Sequence, residues 1–75
     1  MQKIYIIVDS ITFAMKSEKI LRKKSIFPII TKTPSHLNIH GCSYSIVINK
    51  NDLDNTKEIL MQNNIPIKDI KSIEV

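Results

Sequence analysis

The sequence predicts an α+β fold of two layers, because four short segments rich in β-branched residues alternate with two segments of helical periodicity. Their order along the chain is strand, helix, strand, strand, helix, strand. Crossover connections are right-handed and both helices must cover one face, so the economical arrangement is a ferredoxin-like sandwich with a four-stranded antiparallel sheet. We expect the first and third strands in the middle of this sheet, and a single domain over residues 1–75.

The first strand and the first helix are predicted from the N-terminal third of the chain. Residues 4–8 are apolar on both faces, which is typical of a central strand. Asp9 and Ser10 are good helix N-caps, and the amphipathic pattern over residues 10–24 predicts a helix that ends on basic side chains, where the macrodipole favours cations. The residues expected on its inner face are Phe13, Ala14, Ser17, Ile20 and Leu21.

The middle third predicts an edge strand, a loop and a central strand. Residues 27–31 have a β pattern, but Pro28 lacks the N–H that an interior ladder needs, so this strand belongs at the edge of the sheet. Residues 33–41 contain a proline, a glycine and no sustained periodicity, which predicts a loop. Alternation from Cys42 to about Asn49 predicts the third strand.

The last third predicts a helix and a closing strand. Asn51 and Asp52 are expected to cap the helix, and Asn63 and Asn64 can take the left-handed conformation that ends it. Residues 70–75 then form the fourth strand. The inner face of this helix is expected to consist of Leu53, Thr56, Ile59, Leu60 and Asn63.

Size and composition indicate a small folded domain that associates with itself. The chain has 75 residues, of which 43% are hydrophobic and 24% charged, and these values exclude a disordered protein. A domain of this size hides only about 60% of the surface of its unfolded chain. Tyr5 and Ile7 would point away from the helices and leave apolar area uncovered in a single chain. We therefore expect a homo-oligomer.

The cysteine content and the short apolar segments are typical of a cytoplasmic protein, and the charge mainly favours solubility. A single cysteine cannot form a disulfide within one chain, which fits a reducing compartment. The apolar stretch over residues 4–8 is too short for a signal peptide or a membrane span, so no membrane association is expected. The net charge of +4 comes from ten lysines and one arginine against seven acidic residues. Such a lysine-rich composition suits bidentate base or phosphate recognition poorly, and no nucleic-acid partner is expected.

Cys42 is the residue on which the chemical hypotheses depend. A lone cysteine is often a small buried hydrophobe, but Gly41 and Ser43 flank this one and a polar loop precedes it. His36 and His40 in that loop would lower the pKa of the thiol when they are protonated. The residues alone leave the functional and the inert interpretation open.

The predicted topology places Cys42 near one end of the first helix. The first strand ends, the first helix begins and the third strand begins at the same edge of the sheet, so Cys42 should lie beside Asp9 and Ser10. Free N–H groups at the start of a helix stabilise a thiolate, which predicts a pKa below the usual value of about 8.5. Because the Asp9 carboxylate opposes this effect, we expect a modest depression.

Two other kinds of site receive less support from the sequence. His36, His40 and Cys42 could ligate zinc or copper, but a second pair of cysteines and an obvious fourth ligand are missing, so no metal or cofactor is expected. Stacking of RNA bases on an open sheet face would need aromatic side chains in the strands. The third strand lacks the basic and aromatic signature of such RNA-binding modules. The aromatic candidates for such a face are Tyr5, Phe27 and Tyr44.

Three elements of the chain occur in a recognisable order: an Ala-x-x-x-Glu-x-x-Leu helix, a Thr-Pro turn, and one cysteine that opens the third strand. They are formed by Ala14, Glu18 and Leu21 within residues 9–21, by Thr33 and Pro34 within residues 33–35, and by Cys42. With these elements the chain resembles, over nearly its whole length, the small bacterial family described as selenium/sulfur carrier protein-like. That family typically has glycine directly after the cysteine, whereas here Gly41 precedes Cys42 and Ser43 follows it.

The resemblance implies a carrier rather than a stand-alone enzyme. Such a protein would hold sulfur or selenium on Cys42 as a persulfide or selenosulfide. Its partners would be sulfur- or selenium-transfer proteins, such as a cysteine desulfurase or an enzyme of selenium metabolism. The alternative is a non-catalytic module for protein binding or oligomerisation, in which Cys42 is incidental and its replacement by alanine leaves partner binding intact.

Overall fold

The structure is a computed structural model that describes residues 2–34, 36–37 and 43–74. The described residues form four strands and two α-helices in the expected order. The strands are β1 (Gln2–Val8), β2 (Ile29–Lys32), β3 (Tyr44–Asn49) and β4 (Asp69–Glu74), and the helices are α1 (Ile11–Lys23) and α2 (Leu53–Gln62). Neither of these helices is long and apolar enough to cross a membrane.

The sheet has the predicted ferredoxin-like topology. Its strand order is β2-β3-β1-β4, and every neighbouring pair is antiparallel. Ile6 in the middle of β1 pairs with Ile46 of β3 on one side and with Ile70 of β4 on the other. The expectation that β2 lies at an edge is confirmed, and the strand begins at Ile29, directly after Pro28.

Both helices pack on the same face of the sheet, as the sequence predicts. Alternate residues of β1 and β3 form one hydrophobic cluster with α1 and α2, so the fold has two layers. Leu21 of α1 and Leu60 of α2 are both completely buried in this cluster. The other buried members are Ile4, Ile6, Val8, Ala14, Ile26, Ile46, Ile48 and Ile65.

The opposite face of the sheet differs from the expectation in one respect. Tyr5 and Ile7 alternate with the core residues of β1, which places them on this face, as predicted. Ile7 has 0% exposure within the single chain, however, and Tyr5 is half-buried. The uncovered apolar area expected at Ile7 is therefore absent, while Ile29 on the same face is 63% exposed. The homo-oligomer stays a prediction.

The two helices begin differently. The N-cap of α1 is Ser10, whose hydroxyl accepts a hydrogen bond from the Phe13 N–H at 3.3 Å, as predicted. A short 3₁₀ turn, Lys50–Asp52, leads into α2, and the Asp52 side chain makes no capping hydrogen bond. The predicted cap position is confirmed at Asp52, but a side-chain hydrogen bond does not accompany it, because the 3₁₀ turn continues straight into the helix.

The ends of the helices are set by residues with positive φ. Asn64 has a φ of 58° and stops α2, as predicted, whereas Asn63 keeps a negative φ and donates its side-chain N–H to the Ile59 carbonyl. Ser25, with a φ of 62°, has the same role after α1. The sequence pattern does not identify Ser25, because serine is not typical of left-handed positions.

Candidate functional site

The candidate site lies at one end of the strands, on the side of the sheet where β1 and β2 end and β3 and β4 begin. We call this side the Ser43 edge. Val8 and Lys32, at the ends of β1 and β2, both pair with Tyr44, the first residue of β3. Ser10, which caps α1, follows β1 by two residues and lies at the same edge. The predicted meeting of the first strand, the first helix and the third strand is therefore present.

The N-terminal end of α1 gives the Ser43 edge a positive electrostatic character. The first N–H groups of a helix have no partner within the helix, and together they carry about half a positive elementary charge. At α1 the Ser10 hydroxyl binds the Phe13 N–H, and the Ser10 carbonyl accepts from Ala14 at 3.1 Å. Ser10 therefore orients the first turn with a neutral side chain, which leaves the charge of the helix end in place.

Asp9 does not cap the helix. Its Oδ1 lies 2.8 Å from the Lys68 Nζ, in a pair whose side chains are 51% and 36% exposed. The Lys68 backbone N–H donates to the Ile7 carbonyl at 2.8 Å, which fixes this lysine beside the end of β1. The Asp9 carboxylate thus faces a cation at the Ser43 edge, which weakens the opposition to a thiolate expected from the sequence.

A cluster of three buried hydroxyls holds the start of β3. The Thr33 backbone N–H donates to the Ser43 carbonyl at 3.1 Å, which extends the pairing of β2 and β3 beyond Tyr44. The Ser43 hydroxyl donates to Thr33 Oγ1 at 3.0 Å, and Thr33 Oγ1 lies 2.9 Å from the Ser45 hydroxyl. All three side chains are buried, and each makes at least one hydrogen bond within the cluster. The residue that follows Cys42 is therefore firmly anchored.

Sequence reasoning named Ser43 as a site residue and Thr33 only as part of a Thr-Pro turn, and it missed Ser45 and Lys68. A usable signal existed for the hydroxyls, because Ser43 and Ser45 share one face of a strand that continues with the apolar residues 46–48. Buried serines at alternate positions need a partner on the neighbouring strand, and Thr33 directly follows β2. Lys68 lies in a loop before β4 and carried no comparable signal.

Of the remaining predicted site residues, the structure describes only His36. His36 is exposed and follows Pro34, whose carbonyl accepts from the Leu37 N–H at 2.9 Å. Cys42, His40 and Gly41 lie outside the described residues. Within the described ranges, no three His, Cys, Asp or Glu side chains lie close enough together to hold a metal ion.

The three aromatic residues considered for base stacking do not share one sheet face. Tyr44 packs against the hydrophobic core beneath the helices, and Tyr5 lies on the opposite face of the sheet. Phe27 precedes β2 and is 70% exposed. The structure therefore does not unite these three rings in a common stacking surface.

Comparison with known proteins identifies the family. No curated protein matches the chain. A family model with the description "Putative Se/S carrier protein-like" matches residues 3–72, which include both helices and nearly all of the sheet. Since this match covers most of the 75 residues, the protein belongs to the selenium/sulfur carrier protein-like family.

Proposed function

We propose that this protein is a small cytoplasmic carrier that holds sulfur or selenium on Cys42 and passes it between partner proteins. The observation that supports this most strongly is the family match over residues 3–72. The sequence contains one cysteine, so a carrier function based on a thiol must use Cys42. The donor would be a cysteine desulfurase or an enzyme of selenium metabolism, and the acceptor another transfer protein.

Loading of the carrier is an exchange that needs no added oxidant. The Cys42 thiolate attacks the outer sulfur of a donor persulfide, R–S–SH, and a new bond forms between the two sulfurs. The S–S bond of the donor breaks, and its electron pair leaves on the donor sulfur as R–S⁻. Cys42 becomes a persulfide that keeps the proton of the outer sulfur. With a donor R–S–SeH the same step yields a selenosulfide.

Delivery repeats this exchange with the roles reversed. A thiolate of the acceptor protein attacks the outer sulfur or selenium, and Cys42 leaves as a thiolate that can be loaded again. The number of sulfur–sulfur bonds is unchanged in both steps. The chain supplies the thiol, and the partner proteins supply the chemistry that creates and consumes the persulfide.

The described neighbourhood of the Ser43 edge supports a reactive thiol. Helix N-termini and nearby cations are the features that lower the pKa of a cysteine. α1 begins at this edge with a neutral Ser10 cap, and Lys68 compensates the Asp9 carboxylate. These features favour a Cys42 thiol whose pKa lies below its usual value, with His36 and His40 contributing when protonated.

Ser43 stands where the family typically has a glycine, directly after the cysteine. Its hydroxyl is tied to Thr33 and its side chain is completely buried. A buried, hydrogen-bonded serine restricts the start of β3, whereas glycine at the same position would leave the backbone freer. The serine in place of the typical glycine therefore restrains the residue that follows Cys42.

Mass spectrometry after incubation with a cysteine desulfurase and free cysteine tests this function. We expect the intact protein to gain the mass of one sulfur atom, a thiol reductant to remove it, and the Cys42→Ser variant to gain nothing. The Ser43→Gly variant is a control that keeps the thiol and should still be loaded. A wild-type protein that stays unmodified, and whose thiol alkylates only after denaturation, would contradict the proposal and favour the binding-module alternative.

A further inference from the structure

The positive charge of the chain is concentrated on one helix. Residues 11–24, which comprise α1 and its C-cap Lys24, contain five basic residues and one acidic residue. The rest of the chain contains six basic and six acidic residues, which cancel. The whole net charge of +4 therefore resides on α1 and its C-cap.

The solvent-facing side of α1 combines these charges with exposed apolar side chains. At spacings of three and four residues, one line along the helix opposes the buried side formed by Ala14, Ser17 and Leu21. Ile11 and Met15 on this line are 42% and 58% exposed. We call this surface the α1 outer face; it consists of Ile11, Met15, Lys16, Lys19, Arg22 and Lys23.

The α1 outer face has a direction relative to the candidate site. Its apolar residues lie in the first turns of the helix, at the Ser43 edge, and its basic residues continue toward the far end of α1. An open groove lined by Met15, Lys16, Glu18, Lys19 and Arg22 joins the two parts. A partner lying along this face would contact the Ser43 edge at its apolar end.

Helix stability does not account for this surface. The macrodipole favours cations in the last turn, which covers Arg22 and Lys23. Lys16 and Lys19 lie outside that turn, where the dipole effect has fallen off. Arg22 has a compensating partner in Glu18 at 4.0 Å. Met15 is 58% exposed and lies outside the hydrophobic core.

α2 provides the comparison within the same molecule. It also exposes a methionine, Met61, which is 70% exposed. The charged residues around it, Asp54, Lys57 and Glu58, have mixed signs. An exposed methionine alone is thus common to both helices, and the basic surroundings distinguish α1.

We propose that the α1 outer face is the docking surface for the protein partners of sulfur transfer, and that these partners present acidic side chains around an apolar patch. This inference rests on the proposed function. Charge complementarity of this kind steers association and raises its rate. Because the apolar end of the surface adjoins the Ser43 edge, docking there brings the sulfur-bearing group of the partner to the side of the sheet from which β3 begins.

A protein partner fits these residues better than a membrane or a nucleic acid. The apolar stripe of α1 is buried in the core, so the helix cannot lower it into a bilayer as interfacial helices do. Binding to nucleic acid draws on basic and base-stacking groups, and Ile11 and Met15 supply neither. Apolar anchors beside a charged region are typical of protein interfaces.

Transfer kinetics from a cysteine desulfurase test the docking surface. We expect the double variant Lys16→Glu/Lys19→Glu to lower the second-order rate of Cys42 loading about tenfold at low ionic strength, with the loss shrinking as salt is added. Met15→Ala should slow loading several-fold. The matched controls on α2, Lys57→Glu and Met61→Ala, should change the rate less than twofold.

Loading from glutathione persulfide separates the docking surface from the thiol. All variants should react with this small donor at the wild-type rate, because it needs no docking surface. If Cys42 is loaded by neither donor, the proposed function fails. If it is loaded by both, but the α1 and α2 variants behave alike with the desulfurase, the docking proposal alone is overturned. The docking proposal is also overturned if the double variant Lys16→Glu/Lys19→Glu loses binding to an oligonucleotide or to anionic vesicles while its rate of loading by the desulfurase is unchanged.

Discussion

The two strand-helix-strand halves of this protein share a plan but differ where they meet solvent. Each half contributes one central strand, one edge strand and a helix with a completely buried leucine, Leu21 in α1 and Leu60 in α2. α1 has 13 residues and a serine cap, and together with its C-cap Lys24 it carries the whole net charge, whereas α2 has 10 residues, a 3₁₀ entry and charges of both signs. The shared pattern produces the fold, and the differences distinguish the half whose helix begins at the Ser43 edge.

The halves also place their helix termini at opposite edges of the sheet. α1 starts at the Ser43 edge, whereas α2 starts after the far end of β3, where Asn49 pairs with Lys3 of β1. The positive end of α1 thus lies at the edge from which β3 begins, and the positive end of α2 lies at the opposite edge. The two helices therefore serve as controls for each other.

The largest effect expected from this comparison is one that the halves share. Leu21→Ala and Leu60→Ala should each lower the free energy of unfolding by about 2–5 kcal/mol, because both side chains are completely buried in one core. Chemical denaturation measures this difference. A much smaller loss for either variant would show that its helix lies at the margin of the core.

The hydroxyl cluster at the Ser43 edge should give the next largest effect. Thr33→Val keeps the shape of the side chain but removes the oxygen that Ser43 and Ser45 both contact, which should cost about 1–3 kcal/mol. Thr31→Val is the matched control, because its hydroxyl bonds the Lys32 carbonyl in an exposed position. Equal stability of the two variants in urea denaturation would contradict the importance of the cluster.

The helix caps should give a smaller and unequal effect. Ser10→Ala removes the acceptor of the Phe13 N–H and should cost about 0.5–2 kcal/mol. Asp52→Ala removes a side chain that makes no capping hydrogen bond, so it should cost less than half as much. Thermal unfolding of both variants measures the difference, and a larger loss for Asp52→Ala would reverse the comparison.

The smallest effect on stability is expected at the ion pair of the Ser43 edge. Lys68→Met should cost only about 0.2–1 kcal/mol, because both partners are substantially exposed and screened by salt. Its second effect follows from charge: an uncompensated Asp9 disfavours a nearby thiolate, so the pH profile of iodoacetamide alkylation should shift upward. Lys3→Met is the control, because this lysine donates to Asn49 at 2.9 Å at the opposite edge of the sheet and its loss should leave the profile unchanged. A Lys68→Met profile identical to that of the wild type would mean that this pair does not act on Cys42.

Much of the fold could be predicted from sequence because it depends on local periodicity. The β-branched runs, the helical spacing of Ala14, Ser17 and Leu21, and Pro28 at an edge determine element type and sheet order without reference to distant residues. The entry to α2 could not be predicted this way, since a 3₁₀ turn and a side-chain cap use similar residues. The turn at Ser25 also departs from residue preference.

The candidate site was less predictable because its interactions join distant parts of the chain. Asp9 could be expected to cap the adjacent helix, but it pairs with Lys68 from the segment before β4. Thr33 and Ser45 become partners only when β2 lies beside β3. The predicted topology located the Ser43 edge, and the capping preference of serine identified Ser10 as the start of α1. The hydrogen-bonding and ion-pair partners from distant parts of the chain could be identified only from the structure.

Passage of labelled sulfur through Cys42 tests the carrier function most directly. A cysteine desulfurase supplied with isotopically labelled cysteine loads the protein, the loaded protein is separated from the donor, and an acceptor thiol protein is added. We predict that the label leaves Cys42 for the acceptor in equal amount and that the freed thiol accepts label again in a second round, while the Cys42→Ser variant transfers none. Label that never binds Cys42, or that binds and cannot be passed on, would contradict the carrier function.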